Sequence, residues 1–138
     1  MATRERAGRL AGMAEAKGYD DLTTEDEVED IMSDEGGAVV LDFWSQTCGP
    51  CLAMADDFAH VAQQFEPGEV RFCKVDVTEY GNLAAPFKVR SVPTILFVNN
   101  GKIVDAVVGR MSAEQLGSKA EWLLNKSQRK GLLSKIFG

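Results

Sequence analysis

Two cysteines separated by two residues, in the segment Cys48-Gly49-Pro50-Cys51, are the side chains best suited to chemistry in this chain. They come soon after an apolar run at 38–44, which predicts a buried strand. The dithiol is therefore expected where a strand ends and a helix begins. The partial positive charge of a helix N-terminus stabilises a thiolate and lowers the pKa of a thiol. We expect Cys48 to be a nucleophile and the pair to close to a disulfide and reopen.

Metal binding is the main alternative for cysteines at this spacing. A closed zinc site needs four protein ligands, and beyond the pair the chain offers only Cys73 and His60, which form no second cluster. We therefore predict redox chemistry and no metal. Cys73 lies on a predicted buried strand, so an inert thiol is expected, with a regulatory thiol as the alternative. His60 lies off the apolar stripe of its helix and is predicted to be a surface residue rather than a catalytic one.

Composition narrows the class of protein. The chain has 138 residues, of which 45% are hydrophobic, enough for one domain with a real core. A net charge of −6 argues against nucleic-acid binding. No stretch approaches the roughly 20 apolar residues of a membrane-spanning helix, and the N-terminus lacks the apolar core of a signal peptide. We expect a cytoplasmic protein, where a cysteine pair points to catalysis rather than to a structural disulfide.

Charge is unevenly distributed along the chain, with nine acids and no base between Asp20 and Glu35 and with basic residues near both ends. We expect a domain at 19–125 between two extensions. The N-terminal extension, 1–18, lacks a strong apolar stripe and is predicted to be mobile or loosely docked. The tail, 126–138, is basic and amphipathic and is predicted to fray or pack on itself. Docking to a partner, or weak contact with a membrane surface, is the alternative.

Periodicity and turn signals predict helices and strands in an order typical of an α/β domain. Two capping boxes, Thr24 with Glu27 and Ser112 with Gln115, mark helix starts, and Asn99-Asn100-Gly101 marks a hairpin. Two helices are predicted at 25–32 and 51–65. A third, irregular helix is predicted to be capped by Thr78 and to end near residue 87, and a fourth is predicted to begin after Ser112 and to end near residue 125. The predicted strands are 38–44, 70–77, 94–98 and 103–108, with a weak first strand near Leu22. We predict a mixed sheet of about five strands with an antiparallel terminal hairpin and helices on both faces.

Three features around the dithiol make the redox interpretation more specific than the Cys-x-x-Cys spacing alone. Gly-Pro between the cysteines fixes a φ angle at the helix start, Asp42 interrupts the apolar strand, and Val92-Pro93 is a candidate cis bond. The segments LDFWSQTCGPC, SVPT, NNGK and VVG resemble, in this order and spacing, the thioredoxin family. The resemblance covers about 22–125. It implies a thioredoxin fold and a protein-disulfide reductase without a bound cofactor, the redox group being the Cys48–Cys51 pair itself.

The resemblance also assigns roles to single residues. Cys48 corresponds to the attacking cysteine, and Cys51 corresponds to the more buried resolving cysteine. Asp42 corresponds to a buried aspartate that accepts a proton from Cys51, and desolvation should raise its pKa. Lys74 corresponds to the lysine beside it. The structural alternative for Asp42 and Lys74 is a tolerated buried ion pair.

The remaining assignments concern the walls of the site. Pro93 corresponds to the cis-proline beside the dithiol, and Val92 would offer its backbone to an extended substrate. Gly109 corresponds to a glycine that keeps the substrate groove open. Trp44 corresponds to a tryptophan that flanks the site, although core packing is an equal alternative. Gly49 and Pro50 shape the active-site turn.

Three positions depart from the family pattern. Thr47, a substrate-contact position, replaces a tryptophan, Leu52 replaces a common lysine, and Asp56 replaces a helix-kinking proline. The last two changes should raise the pKa of Cys48. We expect reduction to survive and the choice of partners to differ.

The predicted function is reduction of protein disulfides by a monomer that a flavoprotein of the thioredoxin-reductase type keeps reduced. Two alternatives stay open. The chain could be a pathway-specific redox partner, including an oxidant or isomerase. It could instead be a thioredoxin-shaped interaction module that uses its extensions.

Overall fold

The chain forms one five-stranded sheet in a computed structural model that describes residues 17–137, with side chains described to residue 128. The strands are β1 (Asp20–Asp21), β2 (Ala38–Trp44), β3 (Arg71–Asp76), β4 (Thr94–Asn99) and β5 (Lys102–Val108). The helices are α1 (Glu25–Ile31), α2 (Gly49–Ala62), α3 (Gly81–Ala84), which a 3-10 turn (Ala85–Phe87) continues, and α4 (Ala113–Phe137). The N-terminal extension predicted at 1–18 lies outside the described residues except for its last two positions.

The strand order is β1-β3-β2-β4-β5, which confirms the predicted mixed sheet. β1 and β2 flank β3 and run parallel to it, while β4 is antiparallel to β2 and β5 is antiparallel to β4. The weak first strand lies at Asp20–Asp21, next to its predicted position, and Leu22 N–H extends the pairing by donating to Lys74 O at 2.8 Å.

Two apolar clusters cover the two faces of the sheet. On one face α2 and α4 pack through the stripes that helical periodicity predicts, burying Met54, Phe58, Val61, Leu116, Ala120 and Leu123. On the other face α1 and α3 bury Ile31 and Leu83. Because neighbouring side chains of a strand point to opposite faces, Val40 joins the first cluster and Leu41 joins the second. Helices on both faces are thereby confirmed.

The boundaries of α2 differ from the prediction of 51–65. The helix begins at Gly49, with Cys48 as its N-cap, because proline is well tolerated in a first turn. It ends at Ala62, and Phe65 packs from the following turn against the Phe72 ring, with centroids 5.6 Å apart.

The irregular helix ends at Phe87 as predicted, but the predicted cap at Thr78 is wrong. Tyr80 is the N-cap of α3. Thr78 Oγ1 instead accepts a hydrogen bond from Gln46 N–H at 3.1 Å, so a contact between distant parts of the chain uses the hydroxyl that local pattern assigned to a cap.

Helix α4 opens with the predicted capping box, in which Gln115 N–H donates to Ser112 Oγ at 3.1 Å. The predicted fading near 125 is wrong, since the backbone stays helical to Phe137. Leu, Lys, Gln and Arg are good helix formers, and a single Gly131 costs only about 1 kcal/mol of helix stability.

The hairpin between β4 and β5 has the predicted turn. Asn100 and Gly101 both have positive φ, 49° and 79°, the geometry that favours Asn-Gly in two-residue hairpin loops. A Cβ on Gly101 would fall against the carbonyl oxygen of Met32, so this position needs glycine for both its backbone angle and its space.

We predict that Gly101→Ala lowers the free energy of unfolding by at least about 1–2 kcal/mol, the cost of a left-handed non-glycine residue. Urea unfolding followed by circular dichroism measures it. Gly117→Ala is the matched control, because Gly117 lies within α4 and a Cβ there meets nothing within 4 Å. This control should stabilise the protein by about 1 kcal/mol. Equal effects of the two substitutions would contradict the assigned turn.

Candidate active site

The dithiol occupies the N-terminus of α2, and in this structure Cys48 and Cys51 form a disulfide with Cα atoms 5.2 Å apart. Cys48 is half-buried, whereas Cys51 is only 3% exposed. A substrate disulfide can therefore reach Cys48 but not Cys51. This difference in access agrees with the roles expected for an attacking and a resolving cysteine.

The helix start polarises Cys48. Cys51 N–H donates to Cys48 Sγ at 3.2 Å, as an N-cap side chain receives a donor of the first turn. Pro50 lies in that first turn, where a missing N–H leaves no bond unmade. When the disulfide opens, the same N–H group and the helix dipole stabilise a thiolate at Cys48.

The loop that contains Pro93 lies beside the dithiol. The Val92–Pro93 peptide is cis, as predicted. Val92 O lies 3.6 Å from Cys48 Sγ, a contact that becomes a thiol hydrogen bond only when Cys48 is reduced and protonated. Thr94 Oγ1 donates to Ser91 O at 2.6 Å and Gly109 N–H donates to Pro93 O at 2.9 Å, so both sides of the loop are fixed.

Asp42 and Lys74 lie on the face of the sheet that α2 covers. They are opposite each other in the β2–β3 register, and their strand neighbours Val40 and Phe72 belong to the cluster beneath α2. Burial raises the pKa of Asp42 to about 7, although the nearby Lys74 cation acts in the other direction. Asp42 Oδ1 has no hydrogen-bond partner among the described residues.

Lys74 is held by aromatic rings rather than by a direct ion pair with Asp42. Its Nζ lies 4.8 Å from the ring centroid of Trp44, 5.2 Å from that of Tyr19 and 5.6 Å from that of Phe58. Such contacts stabilise a desolvated ammonium group. Within residues 17–128 no salt bridge of 4 Å or less joins Lys74 to Asp42. Trp44 therefore packs on Lys74 at the end of β2, and this position agrees with both a flanking and a packing role.

The rim of the site is exposed and combines apolar side chains with the hydroxyl of Thr47. Leu52, next to Cys51 on α2, is 53% exposed, and Thr47 is exposed before the dithiol. Gly109 has φ +111°, and a Cβ there would meet nothing within 4 Å, so open space adjoins it. Val108, which sequence reasoning missed, is 67% exposed and pairs with Thr94. Neighbouring residues of a strand point to opposite faces, so one of the two adjacent residues Val107 and Val108 had to face away from the core. That rule could have found Val108.

Gln46 is a second residue that the sequence did not reveal. Its side-chain amide donates to Asp76 Oδ2 at 2.7 Å, and its backbone N–H donates to Thr78. These bonds fasten the loop before the dithiol to the end of β3. Partners 30 residues away in sequence leave no local signal.

Other reactive side chains lie away from the dithiol. Cys73 is fully buried on the opposite face of the sheet, and burial raises the pKa of its thiol to about 12. His60 is exposed near the end of α2, roughly 18 Å along the helix axis from Cys48. Asp56 is exposed on α2. Within the described part of the chain, no cluster of three or more His, Cys, Asp or Glu is arranged to hold a metal.

Comparison with known proteins gives consistent matches. A protein-family model described as Thioredoxin matches residues 21–121. A thioredoxin of Synechocystis sp. is 37% identical over 93 residues, which cover 67% of this chain and 85% of that protein. A thioredoxin of Chlorobaculum thiosulfatiphilum is 34% identical over 88 residues, covering 64% and 81%. A solved mutant thioredoxin from Halobacterium salinarum is 30% identical, with a TM-score of 0.67, and the match covers 75% of this chain and 88% of that one.

The buried carboxyl of Asp42 makes stability depend on pH. An aspartate titrates near 3.8 in an unfolded chain, and the folded pKa is about 7. Between these values the folded protein keeps a proton that the unfolded chain releases, so stability falls as pH rises and becomes constant above the folded pKa.

We predict that oxidised Asp42→Asn is more stable than the wild type above neutral pH, by about 4 kcal/mol. The difference should shrink and vanish as the pH approaches 4. Urea unfolding across this range is the measurement. Asp56→Asn, which removes an exposed carboxylate, controls for the change of charge. If the wild type were more stable than Asp42→Asn by the same free energy at every pH, the buried carboxyl with a raised pKa would be refuted.

Proposed function

The chain belongs to the thioredoxin family and is a thiol–disulfide oxidoreductase, and on this premise we propose that Cys48 and Cys51 reduce protein disulfides in two ordered steps. The observation that carries the proposal is the asymmetry of the pair. Cys48 is accessible and its sulfur accepts a helix N–H group, whereas Cys51 is buried beneath it. Nucleophilic attack needs both access and a stabilised thiolate.

In the first step the Cys48 thiolate attacks one sulfur of a substrate disulfide. A mixed disulfide forms, and the other substrate sulfur leaves as a thiolate. In the second step the Cys51 thiolate attacks Cys48 Sγ, which closes the Cys48–Cys51 disulfide and releases the second substrate thiolate. The substrate gains two electrons and the dithiol loses two. A thioredoxin-reductase-type flavoprotein then returns two electrons to the pair.

Asp42 is proposed to accept the proton of Cys51 before the second step. A pKa of about 7 suits a group that must take and release a proton near neutral pH. Because Oδ1 has no partner among the described residues, it is free to accept a hydrogen bond from an intervening water. Lys74 lowers the cost of the carboxylate that remains once the proton is released.

The substrate is proposed to lie along the loop before Pro93. Val92 N–H makes no hydrogen bond within the described residues, and its carbonyl faces the dithiol, so both groups can pair with an extended peptide. Thr47, Val108 and the open side of Gly109 would contact the flanking residues. Gly49 and Pro50 form the exposed first turn of α2, and Trp44 packs on Lys74 at the end of β2.

We further propose a cytoplasmic, monomeric protein, since a recycled dithiol reductant needs a reducing compartment. Departures at Thr47, Leu52 and Asp56 favour a restricted set of partners. The alternative of an interaction module that does not use its thiols is favoured by nothing in the site, because a scaffold needs no polarised cysteine.

We predict that the protein accelerates reduction of insulin by dithiothreitol and that Cys48→Ser lowers the rate to the uncatalysed background. The substitution removes the only accessible sulfur of the pair. Cys73→Ala is the matched control and should keep the wild-type rate, because Cys73 lies on the other face of the sheet. Wild-type activity in Cys48→Ser would sink the assignment.

Cys51→Ser should instead accumulate as a mixed disulfide with its substrates, since the resolving sulfur is missing. Mass spectrometry of proteins captured under non-reducing conditions would name those substrates. The Cys48→Ser, Cys51→Ser double variant is the control and should capture none. Equal capture by both variants would show association that does not depend on the thiols and would favour an interaction module.

The departures can be tested by restoring the family residues. Thr47→Trp combined with Leu52→Lys should raise turnover by a general bacterial thioredoxin reductase several-fold relative to turnover by dithiothreitol. An aromatic contact surface and a cation beside the dithiol would both return. An unchanged ratio would mean that these positions do not select the electron donor.

A further inference from the structure

Helix α4 continues past the part of it that packs on the domain. Among its described side chains, Leu123 is the last that is fully buried, and Lys126 is exposed. The backbone nevertheless stays helical to Phe137, although the family match ends at residue 121. Neither the packing of the domain nor the chemistry of the dithiol accounts for why the C-terminal half of this helix is present.

Trp122 marks the start of a surface outside the core. Its side chain is 40% exposed, a large area for an aromatic residue beside a fully buried neighbour. Two lysines flank it, with Lys119 Nζ 4.4 Å and Lys126 Nζ 5.8 Å from ring centroids of its indole. Lys119 also forms an ion pair with Asp105, so Lys126 is the cation of the two that has no ion pair among the described residues. A cation beside an exposed tryptophan is typical of the interface between water and lipid headgroups.

The helical repeat extends this surface. At about 100° per residue, positions 126, 129, 133 and 136 fall within about 40° of Trp122 around the helix axis. The core-facing positions Leu116, Ala120 and Leu123 fall roughly 100–160° away. The positions of Trp122, Lys126, Arg129, Leu133 and Ile136, here called the distal stripe, therefore share one side of the helix axis, which differs from the side of Leu116, Ala120 and Leu123.

Charge distinguishes this part of the chain from the rest. Residues 122–138 contain four bases and no acid, while the other residues contain 11 bases and 21 acids. A segment of charge +4 thus follows a body of charge −10. Such a segment complements an anionic surface, and a mixture of bases with bulky apolar residues favours lipid over a purely polar partner. No described helix is long and apolar enough to cross a bilayer.

We propose that α4 docks this protein on an anionic membrane surface, with the helix lying in the plane of the headgroups and the distal stripe facing the lipid. Apolar members of the stripe enter the boundary between headgroups and acyl chains, and Lys126 and Arg129 contact phosphate groups. This surface is separate from the dithiol, so the proposal does not depend on how substrates are reduced.

Flotation of the full chain with vesicles tests the proposal. Binding is expected to vesicles that contain phosphatidylglycerol and not to vesicles of phosphatidylcholine alone. Raising salt from about 0.1 M to 1 M, which shortens the Debye length from about 10 Å to about 3 Å, should release the protein. No binding to anionic vesicles at low salt, or equal binding to neutral ones, would overturn the proposal.

Variants assign the binding to the distal stripe. Lys126→Glu with Arg129→Glu should lower the partition coefficient more than tenfold, since each base near an anionic surface contributes about fivefold. Lys88→Glu with Lys102→Glu, at exposed positions outside α4, makes the same charge change and should have a much smaller effect. Leu133→Ser with Ile136→Ser should weaken binding at constant charge. If both charge-reversed variants lowered the partition coefficient equally, membrane binding could not be assigned to the distal stripe.

Two further measurements test whether the variants stay folded and whether a second copy of the chain, in place of lipid, binds this surface. Insulin reduction in solution should be unchanged in every α4 variant, which shows that the domain is intact. Light scattering should give a monomer for the wild type. A dimer that the Lys126→Glu, Arg129→Glu variant dissociates would instead assign the distal stripe to a second copy, whose acidic segment at 20–35 offers the opposite charge.

Discussion

The packing of α2 on the sheet is the constraint on which the rest of the site depends. Phe58 is fully buried and meets the rings of Phe72 and Tyr19 edge-on, at centroid distances of 5.6 and 5.9 Å. This contact anchors α2 on the sheet, and Cys48 lies at the N-terminus of the same helix. A buried aromatic residue of this size contributes about 3–5 kcal/mol to stability. The reactive cysteine is thus placed by apolar contacts that do not themselves react.

The same packing buries the carboxyl group of Asp42 and makes its ionised form costly. Alternation along β2 sends Val39, Leu41 and Phe43 to the face covered by α1, so Asp42 must lie beneath α2, where water is excluded. Desolvation then raises its pKa, and only Lys74 opposes the shift. An aliphatic residue would pack there at lower cost. If Asp42 accepts the proton of Cys51, as proposed, that role explains why a destabilising carboxyl is kept at this position.

Sequence reasoning succeeded where structure follows from local contacts. Both capping boxes and the Asn100-Gly101 turn were predicted because their partners lie within a few residues, and β2 was predicted because its own residues form a continuous apolar run. Thr78 and Gln46 were misread or missed because their hydrogen bonds join distant segments. The pairing of Asp42 with Lys74 came only from the family resemblance, since strand register is not encoded locally. The packing of the Lys74 ammonium group on three aromatic rings, in place of an ion pair with Asp42, could not have been predicted at all.

The geometry of α4 would separate the proposed membrane contact from the reaction at the dithiol. Its first turn follows Gly109, whose N–H is bonded to the loop of Pro93, so the helix begins close to the dithiol. At about 1.5 Å per residue its 25 residues extend roughly 37 Å from there. A protein that lies on a membrane through the distal stripe, which begins at Trp122 and not at the start of α4, would keep Cys48 open to substrates. Docking would then raise the local concentration of reductant near membrane-associated disulfides without altering the reaction at the dithiol. Partner choice would therefore be set at two places, the rim of the site and the end of one helix.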